Sequence, residues 1–314
     1  MNEFDLIATY LAPLAGEGAF SLTDDAALHA DRVITKDLLV DGVHFCTEDS
    51  WQAAAQKAVR ANVSDIVAMG AVPDGILLGM VWPAKVASYE IEEFCLGLKK
   101  DIRAYGLTLL GGDTTRHRRE AAPFTISITM TGRPGPRGPV LRSGARPGDV
   151  VYVTGTIGDG HLGLLAKLNR WAEYPGAVEA YLKPTPPAAL ADSIGNHASA
   201  AIDISDGLAA DAAHVARASG VTLQFKADDI PLSENARFWL GKDGDRRKLF
   251  TGGDDYQTLM TVHPDRRRFI EGAAREANIR LTRIGEVIPG GYGVVIEDEK
   301  GRPMDLGPAG FSHF

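Results

Sequence analysis

Residues 31–37 read as a strand around the apolar, β-branched Val33-Ile34, and the period of two of a strand sets Thr35 and Asp37 on one face and Lys36 on the other. Residues 51–70 are rich in alanine and predict a helix, and 75–81 form an apolar run typical of a buried strand. In 88–105, Ile91, Phe94, Cys95, Leu98 and Ile102 fall on one helical face. Residues 107–110 and 124–131 predict two further strands. The stretch 132–148 is dense in Gly, Pro and Arg and marks a domain boundary. Beyond it, 149–154 predicts a strand that leads through a glycine loop into a helix near 162–171. A strand ending at Asp203 precedes a helix beginning near Asp206. Strands at 221–225, 256–262, 282–287 and 293–297, with a helix near 265–277, complete the second half. The expected fold class is α/β (α+β), with two mixed α/β domains at 1–135 and 145–314 and no short-period repeat.

The length of 314 residues agrees with two domains, and 45% hydrophobic with 24% charged residues describes a globular chain. A formal net charge of −8 argues against nucleic acid or an anionic membrane as partner, since both attract basic surfaces. Polyphosphates remain open to such a protein if divalent cations stand between the two sets of negative charge. Cys46 and Cys95 form neither a CxxC pair nor a disulfide framework, which fits a reducing compartment. The first 14 residues include Glu3 and Asp5 and lack a basic signal-peptide region, and no apolar run reaches bilayer length. A soluble, cytoplasmic protein is expected.

The chemistry lies in aspartates at positions where an aspartate is hard to explain structurally. On the predicted helix 51–70, Asp65 shares a face with Ala58, Ala61, Asn62, Ala68 and Met69. An unpaired carboxylate buried there costs several kcal/mol, so a cation should meet it. An Arg or backbone amides would serve as well as a ligand. Thr35 and Asp37 form an oxygen-bearing pair at a strand end, with the acidic pair Asp24-Asp25 just before that strand. Gly111-Gly112-Asp113-Thr114-Thr115 sets an Asp beside glycines that would let the backbone approach a ligand closely. In Ile202-Asp203-Ile204-Ser205-Asp206-Gly207, Ser205 is a candidate N-cap, and Asp203 and Asp206 flank a helix start of the kind that binds phosphate. Gly252-Gly253-Asp254-Asp255 repeats the glycine-then-acid order. Each is weak alone, because Gly-Asp turns are common. Five such sites together suggest hard, oxygen-ligated ions, with several Mg²⁺ favoured over Zn²⁺ because no His or Cys cluster occurs.

Other motifs fail. Gly155-Thr156-Ile157-Gly158-Asp159-Gly160 lacks the Lys-Ser/Thr of a P-loop and the spacing of a dinucleotide fold, and reads as a structural turn. GxSxG, HExxH and the kinase HRD signature are absent.

The motifs, taken in order, resemble those of bacterial thiamine-monophosphate kinases. They are Asp24-Asp25-Ala26-Ala27, Thr35-Lys36-Asp37, Val43-His44-Phe45, Asn62-Val63-Ser64-Asp65, Gly111-Gly112-Asp113-Thr114-Thr115, Arg142-Ser143-Gly144, Ile202-Asp203-Ile204-Ser205-Asp206-Gly207, Gly253-Asp254-Asp255-Tyr256 and Gly310-Phe311-Ser312-His313-Phe314. Some also suit the wider superfamily of aminoimidazole-ribonucleotide synthetase; His44 and the terminal segment point to the kinase. The resemblance implies that Asp25, Thr35, Asp37, Asp65, Asp113, Asp203 and Asp206 hold Mg²⁺. It implies that Gly112, Asp113, Arg142 and Ser205 contact ATP, and that His44, Asp254 and Phe311 contact thiamine monophosphate. It further implies an aminoimidazole-ribonucleotide-synthetase-like fold and a homodimer joined through the N-terminal sheets. The expected partners are therefore ATP, thiamine monophosphate and a second copy.

Two departures stand out. Ser21-Leu22-Thr23 replaces the usual Gly-x-Gly before the acidic pair, and Lys36 replaces a usual hydroxyl residue. A protonated Lys cannot ligate a metal, so water takes that place or the ammonium neutralises phosphate directly. The implied reaction is in-line transfer of the ATP γ-phosphoryl group to an already ionised phosphate oxygen, which needs no general base. The alternatives are another ATP-dependent enzyme of the superfamily or a catalytically silent nucleotide- or metal-binding protein.

Overall fold

Two sheets divide the chain, and the alanine-rich helix foreseen at 51–70 lies between them. The computed structural model describes residues 3–242 and 244–307. Strands β1 (Ala27–His29), β2 (Arg32–Val40), β3 (Ala71–Trp82), β4 (Thr108–Arg116) and β5 (Thr125–Pro134) form the first sheet, in the order β1-β2-β5-β3-β4. Its pairings are antiparallel except β3 with β4. The second sheet comprises β6 (Val150–Thr154), β7 (Ala198–Ile204), β8 (Thr222–Lys226), β9 (Gln257–Val262), β10 (Leu281–Ile288) and β11 (Val294–Glu297), in the order β11-β8-β10-β6-β9-β7. The helices are α1 (Glu3–Leu6), α2 (Trp51–Ala68), α3 (Ser88–Ala104), α4 (Asp159–Leu168), α5 (Pro175–Leu182), α6 (Ala191–His197), α7 (Leu208–Ser219), α8 (Glu234–Leu240), α9 (Arg246–Thr251) and α10 (Arg267–Glu276). The fold is two mixed α/β domains, as the alternation of elements predicts.

Helix α2 forms where six alanines favour it, and Ser50 caps it by accepting from the Ala53 amide at 3.2 Å. Its small side chains let it pack closely against both sheets. A single apolar cluster runs from Ile66, Ile126 and Met130 of the first domain to Tyr152, Ala201 and Met260 of the second. Arg60 of α2 also donates to the Lys183 and Pro184 carbonyls at 3.2 and 3.0 Å, pinning the second domain to the first. A second cluster fills the opposite face of the second sheet beneath α4 and α7.

Three expectations need correction. The strand expected at 107–110 continues to Arg116, so Gly111-Gly112-Asp113 is extended chain rather than a tight turn. The pairing with β3 continues past a register shift, and a Cβ on Gly112 would stand 1.9 Å from the Leu78 carbonyl oxygen. That glycine serves strand packing. The helix expected near 162–171 begins earlier, at Asp159, and ends at Leu168. The short helices α5, α6, α8 and α9 have no counterpart in the predicted elements, because six to eight residues carry too little periodicity. Among the described residues, no helix is long and apolar enough to cross a membrane.

Candidate active site

Between residues 61 and 68 of α2 every position is buried except Asp65, which opens into a cavity of about 450 Å³ between the domains. Asp37 enters from β2, Asp203 from the end of β7, and Ser205 and Asp206 from the turn after it. His44 and Asp254 line the same cavity. Asp25 and Thr35 stand directly behind this wall. The Thr35 hydroxyl donates to Asp65 Oδ2 at 2.6 Å and lies 3.2 Å from the Asp25 carbonyl oxygen.

The electrostatics are those of crowded anions. Burial pushes the carboxyls of Asp25, Asp65 and Asp203 above the usual range. The charge of Asp37 raises Asp65 further, and that of Asp25 raises Asp203 further. Burial also lifts Asp37 to about 6, against the opposing pull of Lys36. The main internal counter-charge is Arg142, whose Nε donates to Asp25 Oδ1 at 3.0 Å, with Nη2 on the same oxygen. The backbone amide of Arg142 donates to Asp24 Oδ1 at 2.6 Å, tying the interdomain segment to the acidic pair. Asp25 Oδ2 and Asp203 Oδ2 are buried and accept no hydrogen bond among the described residues. Nor do three Asp, Glu, His or Cys side chains among those residues already converge on one point as a metal cage.

Several expected residues sit differently from their sequence reading. Gly112 and Asp113 lie on the exposed edge strand β4, outside the cavity lining, and Asp113 accepts from the Thr114 amide at 2.8 Å. Ser205 is not the N-cap of α7; Gly207 holds that position without a side-chain bond. Instead Asp211, in the first turn of α7, accepts from the Asp206 and Gly207 amides at 3.0 Å each. Lys36 points away from the cavity, its Nζ donating to Ser127 Oγ at 2.5 Å on the exposed face of the sheet. It therefore replaces no ligand within this cavity. His44 accepts from the Val40 amide at 3.1 Å through Nδ1. Phe311 lies outside the described residues.

The 252–256 loop closes the cavity. Gly253 packs so tightly that a Cβ would lie 2.1 Å from the Ser205 carbonyl oxygen. Asp255 points away from the cavity, accepting from the Gly158 and Gly160 amides at 2.7 and 3.0 Å, and so builds the turn into α4. Sequence reasoning missed Asp211, Lys57 and Tyr181. Asp211 could have been found by the logic that found Asp65, being an acid on an otherwise apolar helix face.

Residues 23–133 match the family model for the N-terminal domain of AIR synthase related proteins, and residues 146–298 match the model for their C-terminal domain. A thiamine-monophosphate kinase of Caulobacter vibrioides is 40% identical over 301 residues, covering 92% of this chain and 85% of its own length. That of Aquifex aeolicus is 33% identical over 291 residues, covering 90% and 88%. Among solved structures, AaThiL complexed with AMPPCP and TMP superposes with a TM-score of 0.86 at 31% identity, covering 100% of this chain and 97% of that one. A thiamine-monophosphate kinase from Stenotrophomonas maltophilia gives a TM-score of 0.79 at 33% identity, covering 96% and 98%. The chain belongs to the AIR synthase related family.

Proposed function

We propose that this member of the AIR synthase related family is a thiamine-monophosphate kinase, transferring the γ-phosphoryl group of ATP to thiamine monophosphate to give thiamine diphosphate. One observation carries the reading at the site. A cavity is walled by the carboxylates of Asp37, Asp65 and Asp203, with Asp25 behind them, in numbers that Arg142 alone does not balance. Relatives and a solved structure that bear this name or these ligands support the choice of substrates.

The residues fit Mg²⁺. Two orphaned buried carboxylate oxygens, on Asp25 and Asp203, and a set of mutually repelling acids are what a hard cation would satisfy. The lack of a preformed cage agrees with an ion that keeps waters and takes only one or two carboxylates plus phosphate oxygens. Asp25, Asp37, Asp65, Asp203 and Asp206 would hold it, with Thr35 orienting Asp65. Bound there, Mg²⁺ supplies charge screening between the two polyanions and stabilises the charge that develops in transfer. The chain's own part is to position both substrates, with Ser205 on the ATP side and His44 and Asp254 on the acceptor side. The acceptor phosphate has a second pKa near about 6 and is largely ionised at neutral pH, so no side chain needs to remove a proton. Arg142 is engaged by Asp25, so its first task is to order that carboxylate; its remaining donors are the ones available to ATP.

A homodimer through the first sheet completes the reading. Leu38, Leu77, Leu109 and Leu110 are 52%, 45%, 51% and 59% exposed on strands of that sheet, and among the described residues β4 has no strand on its outer side. Exposed leucines beside an open strand edge invite a second copy. Gly112 and Asp113 lie on that edge, where ATP contacts would adjoin the subunit boundary. The deciding assay supplies ATP and saturating Mg²⁺ with thiamine monophosphate or the acceptors of other superfamily enzymes. Formation of thiamine diphosphate is expected; its absence overturns the reading, and nucleotide binding without turnover would favour a silent binding protein.

A further inference from the structure

Helix α2 carries three charged residues, and Lys57 is the buried one, at 1% exposure. Its Nζ lies 2.9 Å from Asp254 Oδ1, an ion pair whose angles fall short of a hydrogen bond, and 3.7 Å from the centroid of the Tyr181 ring. The three groups come from different parts of the fold: α2 of the first domain, α5, and the 252–256 loop. A carboxylate and an aromatic face together form a site built for one ammonium.

The loop that presents Asp254 is held in a conformation side chains rarely adopt. Asp254 has φ 71° and Tyr256 has φ 50°. The Asp254 amide donates to the Ser205 carbonyl at 2.8 Å, and the Tyr256 amide to the Ile204 carbonyl at 2.7 Å. Left-handed non-glycine residues persist only where the surroundings over-determine them, and they gather at ligand sites. The Asp254 side chain is 27% exposed and lines the cavity, whereas that of Lys57 is 2% exposed and does not. Lys57 therefore reaches the carboxylate from behind, and the Tyr256 hydroxyl at the cavity wall hydrogen-bonds to it as well, which leaves its remaining acceptor sites to whatever fills the cavity.

We infer that Lys57 is a positioning residue that fixes the Asp254 carboxylate across the domain boundary as the acceptor for an N–H donor on the heteroaromatic part of the phosphoryl acceptor. The role rests on the kinase reading above. Among the described residues the ion pair of Lys57 is with Asp254 and not with Asp37, Asp65 or Asp203, so its loss acts on the acceptor rather than on ATP.

The test is steady-state kinetics on Lys57→Met, Lys57→Arg, Asp254→Asn and the double variant Lys57→Met/Asp254→Asn. Lys57→Met should raise KM for thiamine monophosphate by about tenfold while KM for ATP stays within about twofold, and Lys57→Arg should recover part of the loss. The double variant should be no worse than Asp254→Asn alone, because the lysine acts through that carboxylate. An unchanged acceptor KM, a parallel rise in both KM values, or losses that multiply would overturn the role. Should Lys57→Met fail to fold, the double variant removes both charges and still gives the comparison with Asp254→Asn. A wild-type enzyme that makes no thiamine diphosphate overturns the kinase reading and this role with it. Turnover in wild type with both KM values kept in Lys57→Met overturns the role alone.

Discussion

The Thr35 hydroxyl donates to Asp65 Oδ2 across 2.6 Å, joining β2 to α2 at the wall of the cavity. The bond fixes the direction of a carboxylate whose charge is opposed by burial and by Asp37, Asp203 and Asp25. Asp65→Asn preserves an acceptor for Thr35 and removes one of the repelling charges. The metal-free variant should gain about 1 kcal/mol in stability, since an uncompensated buried charge is lost. Turnover should fall on the order of 100-fold, because a ligand is lost as well. Melting in EDTA beside kcat checks both; a less stable, fully active variant would contradict the assignment.

Divalent cation should stabilise the protein by satisfying Asp25 Oδ2 and Asp203 Oδ2. At a free Mg²⁺ concentration about 100 times Kd, the gain is about 2.7 kcal/mol. Thermal melts with Mg²⁺ and then EDTA should show a rise and its reversal, and Asp203→Asn should blunt both. Equal melts in all conditions would sink the metal site.

Phe20, Ser21 and Leu22 occupy the left-handed region in succession, with φ of 48°, 58° and 59°. Such residues cost roughly 1 kcal/mol each, and glycine removes the steric part. Ser21 stands where related kinases usually have the first glycine of Gly-x-Gly. Ser21→Gly should therefore raise unfolding stability by about 0.5–1 kcal/mol in urea titration. A loss of stability would show that the segment does not hold this backbone in solution.

Burial, Arg142 and Arg217 lower His214 to about 4, and the imidazole Nδ1 accepts from Arg217 Nη2 at 3.1 Å. The folded imidazole is neutral, whereas the unfolded one takes a proton below its ordinary value near 6.5. Its contribution is therefore fully present above about pH 6.5 and is lost as pH falls toward 4. The raised carboxylates of Asp37 and Asp65 run the other way, so the comparison with His214→Gln isolates the histidine. The variant should lose less melting temperature than wild type between pH 7 and 4.5. Parallel curves would exclude the effect.

Leu110→Glu places a charge at an exposed leucine on the edge strand of the first sheet. Sedimentation should show a dimer for wild type and a monomer for the variant, with melting of the monomer unit little changed. A monomeric wild type would remove the dimer from the reading.

The strands at 31–37, 75–81 and 124–131 and the helices at 51–70 and 88–105 were legible because each carries a local signal, an apolar or β-branched run, an alanine-rich stretch or a helical period, over enough residues. The short α5, α6, α8 and α9 were not, because their helicity depends on neighbours that cover them. Acid-rich motifs were equally legible as candidates. Their roles were not, since Gly-Asp segments read alike whether they line the cavity, as at Asp254, or hold a turn, as at Asp255.

By itself the sequence determined the two-domain α/β plan, the acidic motifs and the likeness to a kinase family, all of which reside in local order along the chain. Only the tertiary structure decided that Lys36 turns outward to Ser127 and that Asp211, rather than Ser205, orders the start of α7. It alone brought Lys57 to Asp254. These outcomes depend on which face of one element meets another far away in the chain. Burial and charge set that meeting, and no local period records it.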